Sequence, residues 1–320
     1  MMKLPKLIPI KYRRKKYPDD INATIQEVPG HFDEKDFDKK ISQIDSEMQY
    51  SLHTEYSFGK RNFNSPVFSE LELNALGESL NGVPRLWYNG KWSEQFFQFI
   101  TKLVGENRPP KIIEIHPPFR DYCADMDTFL ESYRGFENLV DKRWPESIIA
   151  IENRAESFYP DKFLVYDDLD IRKLLEKIEE GKYKLKLMLD IPQLFTALGG
   201  IENLNLESIK EAFQRFQENK RLIIGIHIWG RKNGSAHVGS LDNLFNSDIN
   251  FKESFLKFLS DYFDDDTQRY VVPEVNSSLG DFTSIVNDLR KYFDLSAKNS
   301  NQGGADKAGA VFEGVNDVVR

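Results

Sequence analysis

Five short apolar runs in the last two-thirds of the chain each close on a carboxylate or an imidazole. They are IIEIH at 112–116, SIIAIEN at 147–153, LKLMLD at 185–190, LIIGIHI at 222–228 and RYVVPEV at 269–275. Each is short, rich in β-branched residues and apolar on both faces, the pattern of a strand buried in a parallel sheet. A charged or imidazole group at the end of such a strand is costly unless something pairs with it. Five in succession point to strand ends that converge on a divalent cation.

The spacing of these groups carries the architecture. Glu152, Asp190, His227 and Glu274 follow one another at intervals of 38, 37 and 47 residues. Each interval fits one strand and one crossover helix. The segments 93–104, 121–140, 170–184, 206–220, 251–263 and 282–293 repeat apolar residues at three and four, with Glu and Lys opposite, and are expected to be helices. Three further strands are expected at 5–12, 48–56 and 84–89. The total of eight is that of a (β/α)8 TIM barrel with a modified N-terminal region. The long interval between His53 and His116 is expected to hold an insertion. An open doubly wound sheet would bind its ligand at one switch point and carry a glycine-rich turn after its first strand, a turn the sequence lacks. One barrel domain is expected over 1–295. The small, polar, Gly-rich segment 296–320 is expected to be a flexible tail.

Charge narrows the partners. A net charge of −8 does not favour nucleic acid or an anionic membrane as a partner. The basic cluster KYRRKKY at 11–17 reads first as a solvated arm, with phosphate-backbone tracking as the alternative. No apolar run approaches the roughly 20 residues of a membrane span. The first residues lack the cleavage pattern of a secretory signal. A single cysteine, Cys123, excludes an internal disulfide and fits a reducing compartment, so the expected location is cytoplasmic. Cys123 itself is expected to be an ordinary thiol on a helix.

One imidazole and three carboxylates suit Zn, Mn or Fe(II) better than a thiolate-seeking ion. Three anions in one cavity repel unless a dication neutralises them. The competing reading of Glu152 or Glu274 is a barrel-end ion pair with Arg154 or another cation. Two more histidines close strand-like runs, His53 in QYSLH and His116 in IIEIHPP. His237 follows His227 by ten residues, after the loop WGRKNGSAH. His31 lies in a segment rich in glycine and charge and is expected to be exposed.

In order and spacing, IENRA, LMLDIPQLF, GIHIWG and VPEV resemble the xylose isomerase-like TIM barrels, over roughly 48–293. That group includes sugar isomerases, epimerases and the apurinic endonucleases of the endonuclease IV type. The resemblance implies that Glu152, Asp190, His227 and Glu274 share a metal. The HPP after the run at 112–116 is similar to the HPG turn of the apurinic endonucleases, which implies that His53, His116 and Glu152 hold a second ion. His237 matches a ligand of a third metal in that branch. The partner motifs depart from the pattern, reading Ser235-Ala236-His237 and Asp190-Ile191-Pro192-Gln193, which leaves a dinuclear centre as the expectation. The same residues, with SLH at 51–53, also resemble the multinuclear-iron oxygenases that modify peptide cysteines alongside a peptide-recognising partner.

Three functions follow. The first is phosphodiester hydrolysis on two divalent ions of Zn, Mn or Fe. In it Glu152 bridges, Glu274 or Asp190 orients water, and His237, Gln193, Arg231 and Lys232 meet the substrate. The second is isomerisation or epimerisation of a small sugar on one ion, with Glu152 and Glu274 moving a proton. There Trp87, Tyr88, Trp92 and Trp229 either stack on the sugar or pack the core. The third is a barrel that keeps its metal without catalysis. The first, on the apurinic endonuclease side, is the expectation taken forward.

Overall fold

In the computed structural model, residues 4–12, 16–56, 60–155 and 162–295 are described. Eight parallel strands close a barrel: β1 Leu7–Lys11, β2 Ile25–Gly30, β3 Gln49–Thr54, β4 Ile112–Ile115, β5 Ile148–Glu152, β6 Lys186–Asp190, β7 Ile223–Ile228 and β8 Arg269–Pro273. Each strand pairs with its neighbours in sequence, and β1 pairs with β8 in the register Leu7↔Arg269 to Pro9↔Val271. The backbone at Asp294 bonds to Pro5 and Leu7, tying the end of the described chain to its start. This is the (β/α)8 fold that the period of the apolar runs predicts.

The helices follow the expected segments, with ends set by caps. Asn89, Asp125, Asp167, Asp248 and Ser278 each accept a first-turn N–H through the side chain. The cap at Asp125 delays the helix expected from 121 to Met126–Arg143, so Cys123 falls in the preceding turn. Burial there pushes the Cys123 thiol up to about 12. The helix expected over 206–220 ends at Gln214 and continues as a 3-10 turn, Gln217–Leu222.

One strand lies elsewhere than expected. PRLWYN at 84–89 is not in the barrel: Val83–Pro84 pairs antiparallel with Ser79–Leu80, and Asn89 caps the helix Gly90–Val104. The missing strand is β2, IQEVPG, which offers few apolar side chains because Glu27 faces inward and Pro29–Gly30 ends it. The interval between β3 and β4 holds the insertion: the short helix Pro66–Glu70, that hairpin and Gly90–Val104. The tail 296–320 and the centre of KYRRKKY, 13–15, lie outside the described residues. Among the described residues no helix is long and apolar enough to cross a membrane.

Strand alternation sorts side chains into two cores. Outward residues such as Ile113, Ile115, Ile149, Ile151, Leu187 and Leu189 pack with the helices, while Ile8, Ile10, Ile25, Ile112, Ala150, Met188, Ile224 and Val272 fill the barrel interior. The same inward parity continues upward to Glu114 and His116 from Ile112, to Glu152 from Ala150, to Asp190 from Met188 and to Glu274 from Val272. A register irregularity between β6 and β7, Leu187↔Ile223 then Met188↔Gly225, adds a residue on β7 and re-aims His227.

Candidate metal centre

Above the apolar interior lies a layer of ionisable side chains at the C-terminal ends of the strands, where barrels carry their sites. Glu27, His53, Glu114, His116, Glu152, Asp190, His227 and Glu274 are all buried, none exposing more than 9% of its surface. His116 Nε2 lies 3.1 Å from both His53 Nε2 and Glu152 Oε2. On the other side, His227 Nδ1 lies 3.8 Å from Glu152 Oε2 and 3.3 Å from Glu274 Oε2. His237 Nδ1 approaches the same Glu274 oxygen at 3.4 Å. Four sets of three donors are compact enough to hold a cation: His53–His116–Glu152, Glu27–His53–Glu114, Glu27–His227–Glu274 and Glu114–Glu152–His227.

These contacts test whether the residues fit a cation. Ligands bound about 2.0–2.2 Å from a zinc-like ion stand about 2.8–3.6 Å from one another, by tetrahedral or octahedral geometry. Most of the observed separations fall in that range, and His53 Nε2 and His227 Nδ1 stand slightly beyond it, each 3.8 Å from Glu152 Oε2. Among the described residues, both His227 nitrogens, Glu114 Oε1, Glu27 Oε2 and His237 Nδ1 are buried without a hydrogen-bond partner of good geometry. Buried polar atoms in that state are costly. His116 bonds to His53 and Glu152, but these other donors crowd together without well-formed bonds to one another, an arrangement that fits a shared cation.

Electrostatics agree. Burial disfavours charge on His53, but Glu27, Glu114 and Glu152 outweigh it and lift the ring to about 10. His227 is likewise raised well above its usual range by Glu114, Glu274 and Glu152, against burial. Burial raises Glu152, yet Arg154, His227 and His116 hold it well below the carboxylate range. Glu274, with burial again opposing, is held at about 2 by His227 and His237. Protons on two imidazoles thus fill the place a dication would take.

Arg154 Nη1 sits 3.1 Å from Glu152 Oε1, so the ion pair considered as an alternative exists beside the cluster. It engages one oxygen and leaves Oε2 facing the histidines. Asp190 stands apart from the four donor sets. Its Oδ1 accepts from the Gln193 N–H at 2.8 Å and its Oδ2 from Trp229 Nε1 at 2.9 Å. Burial, Glu152 and Glu274 push its carboxyl well above the usual range. Gln193 is sealed from solvent and its Oε1 accepts from the Ala155 N–H. Arg231 and Lys232 lie on a hairpin with Ser235–Ala236, half-buried and exposed respectively, and Arg231 Nη2 donates to Thr196 Oγ1 at 3.3 Å. Gly230 starts this excursion; a Cβ there would meet the Gly239 and Ser240 carbonyls at 2.4 Å.

Two members of the layer are not among the expected ligands, Glu27 and Glu114. Glu114 stands in the quoted IIEIH run and shares inward parity with His116, a signal that period-two counting carries. Glu27 lies on the strand whose composition hid it. His31, expected to be exposed, is half-buried, with its ring centroid 6.4 Å from His53 and 5.2 Å from Tyr56. Trp87, Trp92 and Trp229 are fully buried, the core use of these aromatics. Trp87 donates to the His116 carbonyl at 2.8 Å and so holds that turn in place.

The sequence matches no protein-family model and no curated protein. Among solved structures, it is similar to a xylose isomerase domain protein of Alicyclobacillus acidocaldarius, 13% identical over 90% of this chain and 99% of that one, with a TM-score of 0.44. It is also similar to a glycoside hydrolase, 10% identical over 91% and 100% of the two chains, with a TM-score of 0.49. A protein of Sinorhizobium meliloti is 10% identical over 85% and 89%, with a TM-score of 0.47. At values this low, the chemistry of the site rests on its own side chains.

Proposed function

We propose that this chain is a divalent-cation-dependent enzyme that holds two ions at the mouth of its barrel and hydrolyses phosphodiester bonds. The observation that carries this reading is the position of Glu152 Oε2, flanked by His53 and His116 on one side and by His227 on the other, at 3.1 to 3.8 Å. A carboxylate so placed can serve two ions at once, with Glu274 and His237 completing the second set. Bound divalent cations supply Lewis acidity that polarises a phosphoryl oxygen and offsets charge developing on the leaving oxygen.

The chain's own groups do the rest. Arg154 keeps Glu152 ionised and fixes its orientation. Glu274, also ionised, orients a nucleophilic water on its side of the layer. His237 is the partly open donor of the set and meets the substrate at the rim. Arg231 and Lys232 bring positive charge to the same rim for a phosphate.

Sugar isomerisation is the second reading. Glu152 and Glu274 flank His227 at 3.8 and 3.3 Å, which suits a pair of carboxylates moving one proton across a substrate. Elemental analysis of protein purified without chelators separates the two, together with assays on bis(p-nitrophenyl) phosphate and on an aldose–ketose pair. The hydrolase reading expects about two ions per chain, cleavage of the phosphodiester, and loss of cleavage in Glu152→Gln or after chelation. Sugar interconversion without phosphodiester cleavage by loaded protein would reject it.

A further inference from the structure

The two central histidines each divide their nitrogens between two levels. His53 turns Nε2 toward His116 and Glu152, while its Nδ1 faces Glu27 Oε1 at 3.4 Å and Glu114 Oε1 at 3.6 Å. His227 turns Nδ1 toward Glu152 and Glu274, while its Nε2 lies 3.0 Å from the same Glu114 oxygen. A floor of two carboxylates therefore lies beneath the upper donors. Below it the interior is apolar, with Ile25, Ile112 and Ala150.

The chemistry of a ligating histidine explains such a floor. A neutral imidazole that gives one nitrogen to a cation carries its proton on the other, and an acceptor for that proton sets both tautomer and ring orientation. Glu27 and Glu114 are buried at 6% and 1% exposure, at a cost that a merely apolar floor would avoid. The oxygens that face the rings above are Glu27 Oε1, 3.4 Å from His53, and Glu114 Oε1, 3.6 Å from His53 and 3.0 Å from His227.

We infer that Glu27 and Glu114 are positioning residues that lock His53 as the Nδ1–H tautomer and His227 as the Nε2–H tautomer, Glu114 acting on both rings at once. Glu114 thereby links the two cation positions through a single carboxylate oxygen, while Glu27 serves the His53 side. This inference rests on the metal centre proposed above but not on the reaction assigned to it.

The test uses the full chain and Zn(II) alone. Long-range nitrogen–proton spectra of the zinc-loaded protein, labelled at histidine, are expected to place the proton on Nδ1 of His53 and on Nε2 of His227. Glu114→Gln is expected to weaken Zn(II) at both positions by about 10–100-fold, and Glu27→Gln at one, with stoichiometry at saturation unchanged. The opposite tautomers in the wild-type spectrum would overturn the inference even if a variant failed to fold. So would unchanged affinity, or loss of one ion per chain in Glu114→Gln, which would make the floor a cation seat of its own. A folded protein that binds no Zn(II) would reject the metal centre itself, a separate failure.

Discussion

Glu114 on β4 and His227 on β7 meet at 3.0 Å, although two other strands separate theirs in the sheet. No strand ladder can make that contact. It exists because the sheet closes on itself and both side chains point to its axis. The same closure brings His53 from β3 within 3.8 Å of Glu152 on β5. The site is thus a product of curvature, and disturbing either its donors or the packing beneath them has distinct consequences.

Removing donors from opposite sides of Glu152 separates the two cation positions. His116→Ala takes a nitrogen that lies 3.1 Å from Glu152 Oε2 and is expected to cost one ion per chain. Glu274→Gln weakens the other position, leaving the first. Elemental analysis after dialysis reads both; if either variant lost all its metal, the pair of positions would reduce to one.

His237 adopts the left-handed conformation at φ 58° while reaching Glu274. That backbone costs a residue with a Cβ about 1–2 kcal/mol. His237→Gly is therefore expected to be more stable than His237→Ala by about 1 kcal/mol, despite glycine's greater freedom when unfolded. Both variants should bind the second ion more weakly. Urea unfolding of the metal-free proteins checks the order, and a less stable glycine variant would contradict it.

Gly225 lies under the metal layer, where a Cβ would stand 2.5 Å from Met188 Sδ and 3.0 Å from the Tyr270 carbonyl. Gly225→Ala is expected to destabilise the barrel by about 1–3 kcal/mol through overpacking. Because the Tyr270 contact is backbone, Met188→Ala in the same chain should recover part of that loss and not all of it. Full recovery, measured by thermal unfolding, would show that the side chain alone sets the limit.

At the other end of the barrel, the buried Arg269 guanidinium pairs both nitrogens with Asp265, at 2.6 and 3.0 Å, and donates Nε to the Ile223 carbonyl. Burial opposes the charge on Asp265, but bonds from Arg269, the Thr267 N–H and Lys220 hold its carboxyl far below the usual range. A depressed carboxyl stabilises the fold above its unfolded value of about 3.9, and that contribution fades as pH falls toward the folded value. Wild type should exceed Asp265→Asn in melting temperature at pH 6, with the gap narrowing below about pH 4. A gap independent of pH would assign the effect to packing.

Much of this was legible from the chain alone, for a physical reason. The runs ending at Glu152, Asp190 and His227 are buried on both faces and so carry their strand signal without any partner. Their spacing follows from a helical crossover between successive parallel strands, one helix from Glu152 to Asp190 and two short α-helices from Asp190 to His227. β2 was hidden because half of its short length turns Gln26, Glu27 and Pro29 away from the apolar pattern, and PRLWYN was a false strand because Asn89 caps a helix. Period-two counting puts Glu114 on the same face as His116, and closure of the sheet decides that this face is the barrel interior.

Residue type, order and period therefore determined the barrel and most of the groups that crown it, because buried parallel strands and crossover helices impose their patterns locally. Tertiary structure decided which donors meet. Contacts such as Glu114 with His227, the bond from Trp229 to Asp190, and the floor formed by Glu27 depend on closure, tilt and a one-residue register shift. Those are properties of the closed sheet as a whole, and no single segment encodes them.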